Sequence, residues 1–290
     1  MPELPEVETV KRGLQQLIVD KQFSDIKIYN DKSFQATPKI IKSFLIGSKV
    51  SNVRRRAKVL IIDLDSNYSL VIHLKMTGQL VYRGDTNWAA GHPTDSFMAD
   101  LPDRSTRIEF ILGNCRLFFN DQRKFGWIKL LPTVKVENID FLKKVGPEPL
   151  TGDPKLPSQF IKNIRRRNNT TIKAAILDQT VIAGIGNIYA DESLWAAKVH
   201  PATRVRDLSD KKLLEILNKA IKVMTESIES GGSTMKNYVK ADGSKGNYLE
   251  KFANVFRLDG QPCPRCHTTI EKMRVAGRGT HVCLRCQILK

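Results

Sequence analysis

Residues 59–74 read VLIIDLDSNYSLVIHL, and their pattern decides how the first half of the chain folds. Two apolar runs rich in Val, Ile and Leu flank Asp65-Ser66-Asn67, a cluster of turn formers, so the stretch predicts a β-hairpin. The same grammar recurs downstream. RIEFIL and CRLFFN flank Gly113-Asn114, a two-residue turn of the primed type. Short strands at this spacing predict an antiparallel sandwich ending near Leu131. A helix precedes it: Pro5 and Glu6 suit a first turn, and Val7, Val10, Leu14 and Leu17 share one face.

After the strands the period changes. Residues 132–150, LPTVKVENIDFLKKVGPEPL from Leu131 onward, hold the breakers of a connection. PSQFIKNIRRR, TIKAAILDQ, NIYADESLWAAK and SDKKLLEILNKAIKVMTESIES then read as helices, the last stopped by Gly231. The expected organisation is α+β: a β-sandwich domain at 1–131, a linker at 132–150, a helical domain at 151–252 and a cysteine-bearing hairpin at 253–290. Within the helical part, 231–248 is polar and glycine-rich, the composition of a binding loop or lid.

Lysine and arginine number 47 against 30 acidic residues, a formal net charge of +17 over 290 residues. Such an excess favours a polyanionic partner, either nucleic acid or an anionic membrane surface. No apolar run is long enough to span a bilayer, and the acidic opening lacks the apolar core of a signal peptide. These features predict a cytoplasmic protein and favour nucleic acid.

Of the five cysteines, Cys115 stands alone and reads as a buried thiol. Cys263, Cys266, Cys283 and Cys286 form two Cys-x-x-Cys knuckles, CPRC and CLRC. Four thiolates at this spacing close a tetrahedron around Zn²⁺ and leave no position for water, so the predicted site is structural. The segment it would hold carries Arg265, Lys272, Arg274, Arg278, Arg285 and Lys290 against Glu271 alone. A rigid basic hairpin suits duplex phosphates, and the glycines flanking Arg278 allow close backbone approach. RRRAK at 54–58 and IRRR at 164–167 read first as solvated faces. Lys58 differs because it opens an apolar strand that fixes its stem. GIGN at 184–187 lies between two helices, where its amides and Asn187 could grip phosphate.

MPELPEVETV at 1–10, RRRAK, HLKMTG at 73–78, DQRKFG at 121–126, GPEPL at 146–150, GIGNIYADE at 184–192 and GRGTH inside the cysteine hairpin together resemble the formamidopyrimidine-DNA glycosylase family along essentially the whole chain. The resemblance implies an N-terminal β-sandwich with helices, a helical domain with a helix–two-turn–helix element, and a β-hairpin zinc finger. It also implies a bifunctional glycosylase and abasic-site lyase of base excision repair, acting as a monomer on double-stranded DNA that contains oxidised purines.

The resemblance gives the acidic start a purpose. Removal of Met1 would make Pro2 the terminus, with a secondary amine whose pKa of about 7.7–8 leaves a useful neutral fraction, whereas a lysine at ~10.4 is almost wholly protonated. Pro2 would attack C1′ of a damaged nucleotide and Glu3 would donate a proton to the sugar ring oxygen. Lys58 and Arg278 would assist phosphate binding and elimination. Lys173 and Asn187 match phosphate-gripping positions, and Met76, Arg123 and Phe125 match the wedge that fills the void left by the everted base. Read from pattern alone, Glu3, Glu6 and Glu8 complement a helix dipole, and Met76 and Phe125 are core residues. The family pattern is broken at Ser105 and Asn169, where DNA contacts are common, and in STMKNY at 233–238. Two rivals remain: an endonuclease VIII-type enzyme for oxidised pyrimidines, and a non-catalytic zinc-finger protein that binds damaged DNA.

Overall fold

The computed structural model describes residues 2–231 and 253–289, and these divide into two compact units, 2–143 with 230–231, and 144–229 with 253–289. The division falls inside the expected connection at 132–150. The cysteine hairpin shares its unit with the helices.

The first unit opens with α1 (Leu4–Ile18), which has Pro5 in its first turn. Val7, Val10, Leu14 and Ile18 are buried along one face, and Leu17 is half-buried beside them. Then follow β1 (Asp25–Ile28), β2 (Phe34–Gln35), α2 (Pro38–Phe44), β3 (Val50–Arg56), β4 (Val59–Leu64), β5 (Tyr68–His73), β6 (Gly78–Arg83), β7 (Asn87–Gly91), β8 (Thr106–Leu112), β9 (Cys115–Asp121), β10 (Trp127–Pro132) and α3 (Asp140–Lys143).

The strands make two five-stranded sheets, ordered β1-β8-β9-β6-β7 and β2-β10-β5-β4-β3. The 59–74 stretch pairs as β4 with β5, Val59 opposite His73 and Ile61 opposite Val71, and Asn67 adopts the left-handed φ of 60° that its turn needs. The second hairpin closes with Leu112 opposite Cys115, and Gly113 takes a φ of 61°. One pair departs from the antiparallel expectation: β2 runs parallel to β10, with Phe34 opposite Ile128. A parallel pair needs a long connection, and here the intervening chain builds most of both sheets.

Leu60, Ile62, Leu70 and Ile72 from one sheet meet Leu80, Phe110, Leu117 and Phe119 from the other in a single core. Helix α1 closes this core by packing on β3 of one sheet and β7 of the other. Two features fix its seat. Arg55 on β3 donates to Glu8 at 2.9 Å, and Gly13 lies so close to Trp88 that a Cβ there would fall 2.4 Å from the ring. The start of α1 is thereby anchored to the sandwich.

The second unit contains α4 (Leu156–Ile164), α5 (Ile172–Leu177), α6 (Asn187–Ala196), α7 (Asp210–Glu229), β11 (Glu271–Val275) and β12 (Arg278–Val282). Helix α7 buries Leu213, Ile216, Leu217, Ala220, Val223, Met224 and Ile228; Leu214 and Ile221 flank that face half-buried. Gly231, with φ 86°, follows the end of α7. Helix α6 is buried on every side, Asp191 and Glu192 included, so it is the centre of this unit. Among the described residues, no helix is long and apolar enough to cross a membrane. The remainder of the expected lid, 232–248, lies outside the described residues.

Candidate functional site

Pro2 and Glu3 are buried at the mouth of α1. Glu3 is the N-cap in a reciprocal capping box: its backbone N–H donates to Glu6 Oε2 at 2.8 Å, and its carboxylate faces the Glu6 N–H. The bonds that begin the helix also fix the Pro2-Glu3 peptide. Glu8 has a different job. Its bonds to Arg55 and Lys11 outweigh the burial that raises a carboxyl, and its pKa is lowered.

Lys58 sits in the β3–β4 turn, only 5% exposed, after Ala57 at a φ of 52°. Its charge reaches His73, at the end of β5. Burial, with Lys75 and Lys58 nearby, pushes this imidazole down to about 3. His73 is therefore neutral at pH 7. Its Nδ1 accepts the Lys75 N–H at 3.0 Å, which places the proton on Nε2. Trp127 and Phe141 hold the ring, at centroid distances of 5.7 and 5.3 Å.

Two neighbouring loops carry the expected wedge. Met76, between β5 and β6, is 38% exposed; Phe125, between β9 and β10, is 54% exposed. The Arg123 guanidinium lies over the Phe125 ring at 4.8 Å. Core packing, which strand pattern alone favours for Met76 and Phe125, is not what the fold gives them. Each ends up beside a residue with left-handed backbone, Lys75 at φ 50° and Lys124 at φ 59°, which turns it out of its strand line.

In the second unit the Gly279 carbonyl organises three of the expected residues. Asn187 Nδ2 donates to it at 2.9 Å and Lys173 Nζ at 3.1 Å, next to Arg278, which opens β12 and is exposed. Lys173 occupies an interior place. It is fully buried, and its ammonium also contacts Asp191 Oδ1 at 2.6 Å and Thr280 Oγ1 at 2.7 Å. These contacts engage its ammonium with protein acceptors and set it behind Arg278. The GIGN turn is also partly committed: Gln179 Oε1 accepts the Gly184 N–H at 2.9 Å, and Gln179 Nε2 donates to the Ile185 carbonyl at 2.8 Å. Within that motif, Asn187 is the member placed beside Arg278.

Cys263, Cys266, Cys283 and Cys286 bring their sulfurs within 4.8 Å of one another. Trp195 of α6 donates its indole N–H to Cys263 Sγ at 3.4 Å, and Arg265 stacks on the Trp195 ring at 4.0 Å. Four converging sulfurs with a second-sphere donor fit a tetrahedral structural zinc and no catalytic one.

Comparison with known proteins meets this geometry at every level. The formamidopyrimidine-DNA glycosylase N-terminal domain matches residues 1–128, the helix–two-turn–helix domain of the same enzyme 145–239, and a zinc finger found in these enzymes and in isoleucyl-tRNA synthetase 260–288. Formamidopyrimidine-DNA glycosylase of Pelotomaculum thermopropionicum is 38% identical over 293 residues, covering all of both chains, and that of Pediococcus pentosaceus 37% identical over 290, again complete.

The chain belongs to the formamidopyrimidine-DNA glycosylase family. The solved structure of the Lactococcus lactis enzyme bound to DNA containing Fapy-dG superposes with a TM-score of 0.85 at 30% identity, covering 99% of this chain and all of that one. A complex of MutM with DNA containing carbocyclic 8-oxo-G superposes at 0.84 and 31% identity. The α+β fold is that of the glycosylase family, and its finger holds one structural Zn²⁺.

Several buried residues that hold these side chains in place carry no motif role of their own. His73 lay inside the quoted HLKMTG and Asp191 inside GIGNIYADE; a charged residue in an otherwise apolar helix or strand end was the available signal. Glu192 is another. Burial raises its carboxyl, and the backbone N–H groups of Asn254, Val255 and Phe256 donate to it at 2.9–3.1 Å, which seats the chain just after the undescribed segment. The two departures also find a place. Ser105 is 3% exposed and bonded through Oγ and N–H to Asp103 at 2.7 Å, so it is a loop-forming residue. Asn169 is exposed and accepts from Arg206 at 3.4 Å.

Proposed function

We propose that this chain excises oxidised purines from duplex DNA and then cuts the strand, working as a monomer alongside the chromosomal DNA it repairs. The observation that carries the reading is the pairing of a buried, capped Pro2-Glu3 start with an exposed Met76–Phe125 wedge in one +17 chain. With residue 1 removed, the Pro2 nitrogen has a lone pair. It bonds to C1′, the glycosidic bond breaks, and the base leaves with the electron pair and takes up the proton that the amine loses. Glu3 protonates the ring oxygen as the sugar opens, which leaves an iminium between Pro2 and C1′. A secondary amine cannot relax to a neutral imine. The cation therefore acidifies C2′–H, and loss of that proton expels the 3′ phosphate; a second elimination expels the 5′ phosphate.

Lys58 serves a phosphate beside the lesion and assists elimination, and Arg278, with Asn187 next to it, has the same two tasks. Their desolvated or braced seats favour charge-assisted bonds to phosphate oxygens. Met76, Arg123 and Phe125 fill the gap once the damaged base is everted.

Borohydride trapping on a duplex carrying 8-oxoguanine opposite cytosine tests the reading. The expected product is a covalent adduct whose peptide map ends at Pro2, formed far more slowly by Pro2→Gly or after terminal acetylation. A thymine glycol duplex reacts more slowly. Absence of any adduct, with binding intact, would reduce the protein to a damage binder.

A further inference from the structure

Asp121 is fully buried at the end of β9, outside every role given above. Its backbone is pinned on both sides: the N–H donates to the Ser105 carbonyl at 2.9 Å, and the carbonyl accepts Arg107 Nε at 2.8 Å. The carboxylate is thus held in one place, and it accepts from two separate loops. Oδ2 takes the Gly126 N–H at 2.6 Å and Oδ1 takes the Arg123 N–H at 3.2 Å, which closes the turn that displays Arg123 and Phe125. Oδ1 also takes the hydroxyl of Thr77, the neighbour of Met76. Thr77 Oγ1 in turn accepts the Arg123 N–H at 3.1 Å, so the two loops share a donor as well.

Gly126 shows how close this seat is. A Cβ there would lie 2.7 Å from the Phe119 ring and 3.1 Å from Asp121 Oδ2. The Met76 loop is closed on its own side by the Gly78 N–H, which donates to the Leu74 carbonyl at 2.9 Å. Charge-assisted bonds to a buried carboxylate are shorter and stronger than neutral ones, and a buried acceptor stripped of its donors is costly.

We propose that Asp121, through Thr77, is a positioning residue that joins the Met76 loop and the Arg123–Phe125 turn into one rigid wedge, set before DNA arrives. The inference rests on the wedge reading above. A preformed wedge loses little conformational freedom on insertion, and it holds Arg123 at a fixed distance from the base opposite the gap. Discrimination of that opposite base then depends on a carboxylate that touches no nucleotide.

The test compares the full-length zinc-loaded protein with Thr77→Val, Thr77→Ser and Asp121→Asn. Thr77→Val removes one hydroxyl and keeps the shape, so it is the informative variant if Asp121→Asn unfolds. Hydrogen exchange on the free protein is the first readout. Thr77→Val should speed exchange about tenfold in peptides covering both 74–78 and 121–126, and Thr77→Ser should restore protection. Single-turnover kinetics are the second. Excision of 8-oxoguanine should fall by on the order of tenfold, the preference for opposite cytosine over adenine should narrow, and cleavage of a preformed abasic site should fall much less. Unchanged exchange in the 121–126 peptide, or an equal loss of excision and abasic cleavage, overturns the coupling. A wild-type protein that shows the exchange coupling yet removes no lesion would instead strike the glycosylase reading and leave the coupled loops standing.

Discussion

The wedge loops of the first unit and the α6–finger junction of the second solve one problem in opposite ways. In the wedge, apolar Met76 and Phe125 are exposed, and the buried Asp121 carboxylate that supports them meets neutral N–H and O–H donors. At the junction, an exposed Arg278 is supported by ions in the interior. Asp191 faces Lys173 at 2.6 Å on one oxygen and His281 at 3.2 Å on the other, and both acid and lysine are fully buried. A void in stacked bases has to be filled by apolar side chains, whereas a phosphate has to be met by a cation. In each case a buried acid, Asp121 or Asp191, supports the segment that displays the exposed group. The difference lies in what failure would cost. Neutral donors can turn to water, but a buried ammonium without its carboxylate cannot.

That asymmetry is open to attack, and the harshest blow falls on the junction. Chelation of the zinc, or Cys283→Ser, should unfold the finger, because structural zinc sites of this type are worth on the order of 10 kcal/mol. Circular dichroism and duplex binding should collapse together while the sandwich keeps its strand signal. Next comes Lys173→Met. It leaves Asp191 buried beside His281 without its lysine, and about 3–5 kcal/mol should be lost in denaturant unfolding of the second unit. If Lys173 were a phosphate ligand instead, stability would hold and the salt dependence of binding would flatten by about one phosphate contact.

The wedge side has its own titration. The folded pKa of His73 is about 3 against an unfolded 6.5, so the folded imidazole stays neutral. The unfolded chain then binds the extra proton between those values, and stability is full above 6.5 and lost as pH falls toward 3. Lys58 and Lys75, the cations facing it, sharpen this loss. Urea midpoints measured at pH 7 and pH 5 should separate more for the wild type than for His73→Asn. The smallest stability change belongs to Phe125→Ala. A half-exposed ring should cost no more than about 0.5 kcal/mol, yet lesion excision should fall by about tenfold or more. A large drop in melting temperature would place Phe125 in the core after all.

The sequence made some of these distinctions visible in advance. The hairpin at 59–74 was legible because turn chemistry and apolar alternation are local properties, and so was the zinc site, whose ligands declare themselves by type and spacing. The parallel β2–β10 pair was not, since Phe34 and Ile128 are far apart in the chain. The burial of Lys173 was hidden for the same reason. A lysine in IRRRNNTTIK looks like one more surface cation, and only the return of the chain at Thr280 shows that it is enclosed. Pattern alone favoured a core place for Met76 and Phe125, because it does not show the left-handed turns beside them that lead each out of its strand line.

By itself, then, the sequence determined the elements, the α+β class, the basic character, the tetracysteine site and the family signature, all of which follow from residue type and short-range order. Tertiary structure alone decided which charges are buried, which apolar groups are displayed, and that Asp121 and Asp191 each serve two segments at once. Burial is set by what the rest of the chain places on top of a residue, and no window of neighbouring sequence contains that information.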